Sequence, residues 1–318
     1  MTVIGSRHQG ADVTSGDGSG GGRGGGAGPA TEDFLTHRNL LFTVAYEMLG
    51  SAADAEDVLQ ETWMRWAGVD LAEVRDRRAY LVRITTRQAL TRLRTLGRRK
   101  ESYVGSWLPE PLLTSPDVAE DVELADSVSM AMMLVMETLA PTERAVFVLR
   151  EVFDIGYDEI AEAVGRSPSA VRQIAHRARA HVADRRPRGD GSPECTRDAL
   201  DAFRRAVETG DLQGLLDVLA PDVVLLGDGG GIKQAVLRPV VGADKVARLL
   251  KGGLRKVPAE VTLRPALVNG GPALVLHLDG ELDSVLAVRV DDGLVTGLYA
   301  VRNPQKLSHM DRETVLRR

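Results

Sequence analysis

The stretch from Tyr157 to Val182 constrains the fold more than any other part of this chain, because it joins two apolar stripes through complete turn chemistry. Apolar residues recur at helical spacing from Tyr157 to Val164, and Gly165 follows where a helix-ending glycine belongs. Ser167 is a good N-cap for a second helix, and Pro168 suits its first position. The pattern predicts a helix-turn-helix.

Basic and polar side chains dominate the outer face of the second predicted helix, while Val171, Ile174, Ala178 and Val182 are expected to face the core. Such donors can bond phosphates and base edges in the major groove of duplex DNA. An ordinary helical hairpin with a solvated arginine face is the alternative. The expected DNA contacts are Ser169, Arg172, Gln173, His176, Arg177 and Arg179.

The charge distribution supports nucleic-acid binding even though the formal net charge is −5. Residues 75–100 carry ten Lys and Arg against one acid, and residues 166–188 carry seven Arg against one acid. A polyanion is attracted to two such patches and repelled by the acidic remainder. The chain therefore suits a protein that contacts DNA in two places.

A helical pattern fills most of the first 183 residues. Nine of the thirteen residues from 16 to 28 are glycine, so we expect residues 1–30 to be a disordered tail. Ser51 is a candidate helix cap, and a third helix is predicted over about Arg77–Leu96. Prolines make 101–119 a linker before helices resume at about Glu120.

After a second linker, which contains the single cysteine Cys195, the pattern changes from helical to strand-rich. Helices are predicted near 196–208, 211–219 and 243–251. The chain thus ends in an α+β domain. The predicted strands are Val223–Leu226, Val236–Val241, Val261–Val268, Ala273–Leu278, Ser284–Val290 and Leu294–Val301.

Composition excludes several protein classes. No apolar run approaches the length of a membrane span, and the N-terminus has no signal-peptide block. One cysteine cannot form an internal disulfide, and no His/Cys cluster has metal-ligand spacing. We expect a cytoplasmic protein with no membrane contact, metal or cofactor.

Two long segments resemble extracytoplasmic-function sigma factors. Leu139–Glu151, Tyr157–Glu162 and Ser169–Arg179 resemble sigma domain 4, and Ala45–Trp63 resembles sigma domain 2. The resemblance implies a protein that binds core RNA polymerase, through the clamp helices of its largest subunit and its flap, and directs it to promoters. Domain 4 would read the −35 element.

The resemblance also assigns two faces in domain 2. The acidic helix that begins near Ser51 would bind polymerase, and the third helix would act in −10 recognition and strand opening by phosphate attraction and base stacking. For both faces, ordinary solvation is the alternative. The polymerase-binding residues would be Asp54, Glu56, Asp57, Gln60 and Glu61, and the −10 residues Arg83, Arg87, Arg94 and Arg98.

Three further motifs, Trp107–Pro111, Asp228–Lys233 and Asn303–Leu307, resemble the sigma-factor group with a SnoaL-like C-terminal extension. That extension is expected to be an α+β cone that modulates activity through contacts with the sigma domains. The family has Lys directly after its third glycine, but here Ile232 intervenes. The implied regulatory residues are Trp107, Leu108, Pro109, Glu110, Pro111, Asp228, Gly229, Gly230, Gly231, Lys233, Asn303, Pro304, Lys306 and Leu307.

The linker motif has its own physical interpretation: two prolines stiffen it, and Trp107 offers a large apolar anchor. We expect Trp107 to dock near the Asp228–Lys233 loop; a merely rigid linker is the alternative. The resulting organisation is a tail at 1–30, sigma domain 2 at 31–100, a linker at 101–125, sigma domain 4 at 126–184, a linker at 185–195, the SnoaL-like domain at 196–303 and a tail at 304–318.

Two other functions remain open at this stage. One is a ligand-sensing helix-turn-helix regulator that never joins polymerase, and the other is a SnoaL-like enzyme with a DNA-binding appendage. Catalysis would need an acid–base pair in a pocket. The sequence gives no reason to assign turnover, and a small ligand that tunes the other domains is the alternative role for a pocket. The candidates are His277 and Asp279, which could share a strand face, with Asp283 and Asp228.

Overall fold

The computed structural model describes residues 28–115, 117–118, 121–185, 193–254 and 258–318, apart from the side chains of residues 98, 99, 193 and 254. Residues 1–27 of the predicted tail and residues 186–192 of the predicted linker lie outside the described residues. Helix α1 begins at Pro29, inside the predicted tail, and helix α9 begins at Pro193, inside the predicted linker, so Cys195 lies in a helix.

Three helices form the first unit: α1 (Pro29–Leu49), α2 (Ala52–Trp66) and α3 (Arg77–Glu101). Ser51 caps α2 by accepting the N–H of Asp54, as predicted, and Asp76 caps α3 in the same way. Helix α3 continues to Glu101 rather than ending near Leu96.

The segment after α3 is extended but is not a free linker. Leu108 and Leu112 are both fully buried at 0% exposure. Helix α4 (Val122–Val128) begins before the predicted linker end at 125, because Asp121 accepts the N–H of Leu124 and caps it. Helix α5 (Met130–Met136) follows.

The helix-turn-helix is present as predicted. Helix α6 (Pro141–Phe147) and a π turn (Val148–Val152) precede α7 (Tyr157–Val164) and α8 (Pro168–Ala183). Gly165 has a φ of 68°, and Ser167 caps α8 at the N–H of Ala170. One detail differs: Ala175 is buried in α8, whereas Ile174 is only partly buried.

The helices on both sides of the extended segment share one hydrophobic core. It runs from Phe34 in α1 through Trp66 and Leu81 to Val171 and Val182 in α8. The two helical units are therefore packed against each other.

The C-terminal unit is a six-stranded sheet with three helices. Its helices are α9 (Pro193–Thr209), α10 (Leu212–Val218) and α11 (Ala243–Leu254). The strand order is β2-β1-β6-β5-β4-β3, in which only β1 and β6 pair in parallel among the described strands. The strands are β1 (Leu219–Asp228), β2 (Val240–Val241), β3 (Val261–Val268), β4 (Gly271–Leu278), β5 (Glu281–Asp291) and β6 (Leu294–Val301).

Four predicted strands have different bounds, and the differences are small for β4, which starts at Gly271, and for β5, which spans Glu281–Asp291. Strand β1 starts at Leu219, where the predicted helix 211–219 was to end, and a register shift before Val224 accommodates Pro221. Strand β2 is only Val240–Val241 rather than 236–241. Pro239 has no N–H to donate to a ladder, which is why pairing begins after it.

The sheet is covered on both faces. One face packs against α9, α10 and α11 through Phe203, Leu215 and Val246. The other packs against Leu108 and Met130 of the helical part and against Leu307 and Met310 near the C-terminus.

The last residues return to the first helix. The short 3₁₀ turn Pro304–Lys306 follows β6, and Leu316 is buried in the helical core. The N–H of Arg317 donates to Thr43 Oγ1 at 3.0 Å. The predicted tail 304–318 is therefore packed rather than free.

The predicted class, helical units followed by an α+β domain, is confirmed by this arrangement. Among the described helices, none has the length and apolar character needed to cross a bilayer.

Candidate nucleic-acid and interdomain sites

The outward face of α8 presents most of its predicted DNA contacts to solvent. Ser169, Arg172, Gln173 and His176 are exposed. Arg177 is also exposed and lies 3.8 Å from a carboxylate oxygen of Glu143. This surface is free to approach a groove of DNA.

Arg179 is held differently, since it makes two hydrogen bonds to Glu151, of 3.1 and 2.8 Å. These bonds raise the pKa of the Arg179 guanidinium above its usual value. Contact of Arg179 with a phosphate requires exchange of this carboxylate partner.

The basic face of α3 is partly covered by the helix-turn-helix. Arg83 Nη1 pairs with Glu162 Oε2 of α7 at 2.7 Å, and Arg87 donates to the carbonyl of Glu162 at 2.7 Å. Arg94 is exposed. The side chain of Arg98 lies outside the described residues. Two of the four predicted −10 residues thus contact α7.

The acidic face of α2 is less open than predicted. Asp54 is buried and pairs with Arg92 of α3 at 2.6 Å, so its placement on the exposed face was wrong. Asp57 also pairs with Arg92, and Glu56 pairs with Arg38 at 2.7 Å. Asp54 lies one turn before Val58, on the stripe that packs against α3.

The remaining polar residues of α2 lie further out. Gln60 is exposed, and Glu61 is half-buried. The outward surface of α2 is therefore centred on Glu56, Asp57 and Gln60.

Asp228, at the end of β1, joins the extended segment to the C-terminal 3₁₀ turn. It is fully buried, and it accepts hydrogen bonds from Tyr103 Oη at 2.5 Å, Leu108 N at 2.9 Å and Lys306 Nζ at 2.7 Å. Lys306 Nζ also lies 3.4 Å from the centre of the Trp107 ring. The structure therefore brings residues of all three motifs together around one carboxylate.

Burial and this carboxylate act in opposite directions on Lys306. Burial lowers the pKa of the Lys306 ammonium and outweighs the attraction of Asp228, which raises it. Burial, followed by the hydrogen bond to Asp228, raises the pKa of the Tyr103 phenol. The cluster is thus a buried ion pair enclosed by two aromatic rings.

The glycines of the Asp228–Lys233 motif are required by close packing. A Cβ at Gly229 would lie 2.0 Å from the Lys233 carbonyl oxygen, and one at Gly230 would lie 2.3 Å from Asn303 Nδ2. Asn303 Nδ2 donates to Tyr103 Oη at 2.8 Å. The loop therefore fits closely beneath Asn303.

Other motif residues serve different contacts. Lys233 pairs with Asp283 at 2.9 Å, and Arg302 pairs with the same carboxylate. Burial raises the pKa of the Asp283 carboxyl, but Lys233 and Arg302 together lower it by more, so the net shift is downward. Pro304 starts the 3₁₀ turn, and Leu307 packs on the sheet.

Glu110 turns away from the sheet and towards α2. Its carboxylate accepts from Ser51 Oγ and the N–H of Ala52, both at 2.8 Å, at the positive end of the helix. Pro109 and Pro111 on either side are buried. The Trp107–Pro111 motif therefore contacts both the C-terminal unit and domain 2.

Sequence reasoning missed a chain of buried charges between the helical units. Arg144 of α6 donates to the carbonyl of Glu47 at 3.0 Å and pairs with Glu137 at 2.6 Å; Lys100 also pairs with Glu137. Glu47 accepts from Ser127 Oγ, and burial raises its pKa to about 8. The only sequence signal was a charged residue at an otherwise apolar helix position.

The candidate acid–base pair is not assembled. Asp279 lies in the turn after β4, with a φ of 50°, and accepts the N–H of Glu260 at 3.0 Å. It therefore does not share a strand face with His277, contrary to the expectation. Asp283 and Asp228 are engaged in the ion pairs described above.

Comparison with known proteins identifies both helical units. The family model for Sigma-70 region 2 matches residues 34–99, and that for Sigma-70, region 4 matches residues 129–182. The chain is 35% identical to the ECF RNA polymerase sigma factor SigJ of Mycobacterium tuberculosis over 87% of this chain and 92% of the relative. It is 32% identical to the probable ECF RNA polymerase sigma factor SigI of the same species, over 90% of this chain and 97% of that one.

The similarity extends to three dimensions and through the C-terminal unit. The crystal structure of the M. tuberculosis extracytoplasmic function sigma factor SigJ matches with a TM-score of 0.70 and 33% identity, over 88% of this chain and 98% of that chain.

Proposed function

The chain belongs to the extracytoplasmic-function sigma factors of RNA polymerase, which direct the polymerase to promoters, and we propose that the arrangement described above is its closed state, unable to engage a promoter. The observation that carries this proposal is the shared core of the two helical units, together with the contacts of Arg83 and Arg87 to Glu162.

The spacing of sites along DNA supports the closed state. Sites one turn apart on duplex DNA are separated by roughly 34–36 Å. Helices that pack directly have axes only about 8–10 Å apart. Helix α3 packs on α7, and α7 packs on α8, which carries the −35 face. The −10 face and the −35 face must therefore separate before both can bind DNA.

In the open state, each DNA-reading element has its own task. Arg172, Gln173, His176 and Arg177, with Ser169 at the start of α8, contact the −35 element. Arg83 and Arg87, once released from Glu162, contact the −10 region together with Arg94 and Arg98. Arg179 exchanges Glu151 for a phosphate.

Polymerase binding uses the outward surface of α2. Glu56, Asp57, Gln60 and Glu61 present acidic and polar groups that complement a basic surface, as on the clamp helices of the largest subunit. Asp54 instead positions α2 against α3 through Arg92. Domain 4 contacts the flap, and the protein acts in the cytoplasm with the polymerase.

The C-terminal domain modulates this activity by holding the extended segment. Asp228, Lys306 and Asn303 bind the segment at Tyr103 and Leu108, while Glu110 ties the same segment to α2. A small ligand that binds the sheet face now covered by Leu108 and Met130 would compete with this contact. The domain is regulatory and not catalytic.

Promoter-directed transcription with purified core polymerase tests the assignment of the DNA-reading face. Arg172→Ala is expected to lower specific transcription by about 10-fold or more, because one base-reading arginine contributes roughly 1–3 kcal/mol. Arg248→Ala is the matched control: Arg248 is exposed, on α11, and pairs only with groups of Asp244 among the contacts described. Equal activity of the two variants would contradict the assignment.

A further inference from the structure

The three turns that join β3 to β4, β4 to β5 and β5 to β6 have the same backbone shape but different surroundings. Both residues have positive φ in each: 54° and 68° at Asn269–Gly270, 50° and 83° at Asp279–Gly280, and 50° and 76° at Asp292–Gly293. This is the two-residue hairpin turn that favours Asn-Gly and Asp-Gly. The Asp279–Gly280 turn is exposed, whereas Asn269 is completely buried at 0% exposure.

The side-chain amide of Asn269 joins three other segments of the chain. Its Oδ1 accepts the N–H of Leu112 at 2.9 Å, and its Nδ2 donates to Tyr46 Oη at 2.6 Å and to the Val128 carbonyl at 2.9 Å. The backbone N–H of Asn269 donates to the Leu112 carbonyl at 2.9 Å. Tyr46 belongs to α1, Leu112 to the extended segment and Val128 to α4.

These contacts explain why this turn begins with Asn rather than with Asp, the first residue of the other two turns. A carboxylate only accepts hydrogen bonds, whereas an amide accepts through oxygen and donates twice through nitrogen. The N–H of Leu112 needs an acceptor, and the carbonyl of Val128 needs a donor. Asn269 supplies both, so its side chain is matched to the helical part rather than to the hairpin alone.

Gly270 is fitted just as closely. Its N–H donates to Thr114 Oγ1 at 3.1 Å, and a Cβ at this position would lie 2.7 Å from Ala125 Cα. A Cβ at Gly280 or Gly293 would meet no atom within 4 Å. The tip of this one turn therefore occupies a socket, which we call the turn socket, formed by Tyr46, Leu112, Thr114, Ala125 and Val128.

We propose that the turn socket is a binding site for the Asn269–Gly270 turn, and that withdrawal of this turn is the step that releases domain 2 from domain 4. The socket takes one wall from α1 and another from α4, so it exists only while the two helical units are together. Binding of the turn and closure of the helical units therefore stabilise each other, and we call the seated Asn269–Gly270 turn the latch. The inference rests on the closed state proposed above.

The latch is tested in the full chain by a distance between the helical units that does not depend on transcription. Spin labels are placed at Ala67→Cys, after α2, and Ala180→Cys, on α8, both exposed positions, with Cys195→Ser as background. Gly270→Ala and Asn269→Asp are compared with Gly280→Ala as a control. Gly280 also has a positive φ, but it lies outside the socket. Circular dichroism establishes that each variant is folded.

Gly270→Ala and Asn269→Asp are expected to raise the ratio of long to short distances by about 10-fold or more. The alanine side chain displaces the tip of the turn from the socket, and the aspartate leaves buried polar groups unpaired. Gly280→Ala should match the parent protein. The latch is overturned if the two socket variants keep the parent distance distribution, or if Gly280→Ala opens as much as they do.

Transcription measured on the same variants separates this inference from the function on which it rests. Opening together with higher promoter-specific transcription supports both. Opening without any rise in transcription supports the latch but contradicts the proposal that the closed state is what restrains activity.

Discussion

Among single residues, buried charged side chains connect the domains of this protein. Asp228 and Lys306 are both almost completely buried and are 2.7 Å apart. Such a pair gains little net stability, but the loss of one partner leaves an uncompensated charge. The chief role of the pair is therefore to hold β1, the extended segment and the 3₁₀ turn in one arrangement.

Asp228→Asn is expected to lower the free energy of unfolding by about 3–5 kcal/mol, because the Lys306 ammonium stays buried without its counter-ion. Adding Lys306→Met should restore much of this loss by removing the charge. Urea denaturation of the single and double variants measures both effects. A double variant no more stable than Asp228→Asn would show that the ion pair is not the cause.

Glu47 predicts a pH dependence. Burial raises its folded-state pKa to about 8, above the ordinary carboxyl value, so the folded protein holds a proton that the unfolded chain releases first. Stability from this group is fully present below the unfolded pKa and is lost as pH rises through about 8. Ser127 and Arg144 oppose this shift.

Glu47→Gln should remove that part of the pH dependence, because the amide mimics the neutral acid at every pH. We expect the variant to gain on the order of 3 kcal/mol over the parent on going from about pH 5 to pH 8. Denaturation midpoints across that range provide the measurement. A parent protein and variant with parallel pH profiles would contradict the buried, protonated state.

At the scale of elements, the contact between α3 and α7 covers part of the −10 face, but its ion pair is exposed. The side chains of Arg83 and Glu162 are 30% and 65% exposed, so their pair contributes roughly 0–1 kcal/mol. Closure must then depend on apolar packing and on the turn socket rather than on this pair.

Glu162→Gln is accordingly expected to change the open-to-closed ratio by less than about 5-fold, a smaller effect than that of Gly270→Ala. The label distance between positions 67 and 180 measures the ratio. If Glu162→Gln alone opened the protein as far as the socket variant, the ion pair would have to be reassigned as the main restraint.

The helices of this fold follow from local signals, and its interfaces do not. Ser51, Gly165 and Ser167 are capping residues whose effect depends only on their neighbours in sequence, so the sequence predicts them correctly. Asp54 and Asn269 depend on partners far along the chain. A pattern search sees an acidic helix face and a hairpin turn, and neither Arg92 nor Tyr46 is visible as the partner.

The same reasoning explains the extended segment. Its prolines correctly predict a stiff, non-helical path, but burial of Leu108 and Leu112 on opposite sides depends on the sheet and the helical core being present. Docking of this segment on Asp228 was expected from motifs that the family shares, and the second attachment, through Glu110 to α2, was not.

At the scale of the whole molecule, the C-terminal residues return to domain 2 and close the assembly. Leu316 is buried in the helical core, and Arg318 pairs with Asp121 at 2.9 Å and with Glu123. Removing residues 308–318 is expected to favour the open state and raise promoter-specific transcription. Lower transcription by a folded, truncated protein would instead give these residues an activating role.

In the proposed mechanism the free protein is closed, and promoter engagement requires the two helical units to part. The most direct test is the distance between labels at positions 67 and 180, measured first in the free protein and then in the complex with core polymerase and promoter DNA. We expect a single short distance in the free protein and a separation longer by tens of ångströms in the complex, as sites more than one DNA turn apart require. The same short distance in an active promoter complex would contradict it.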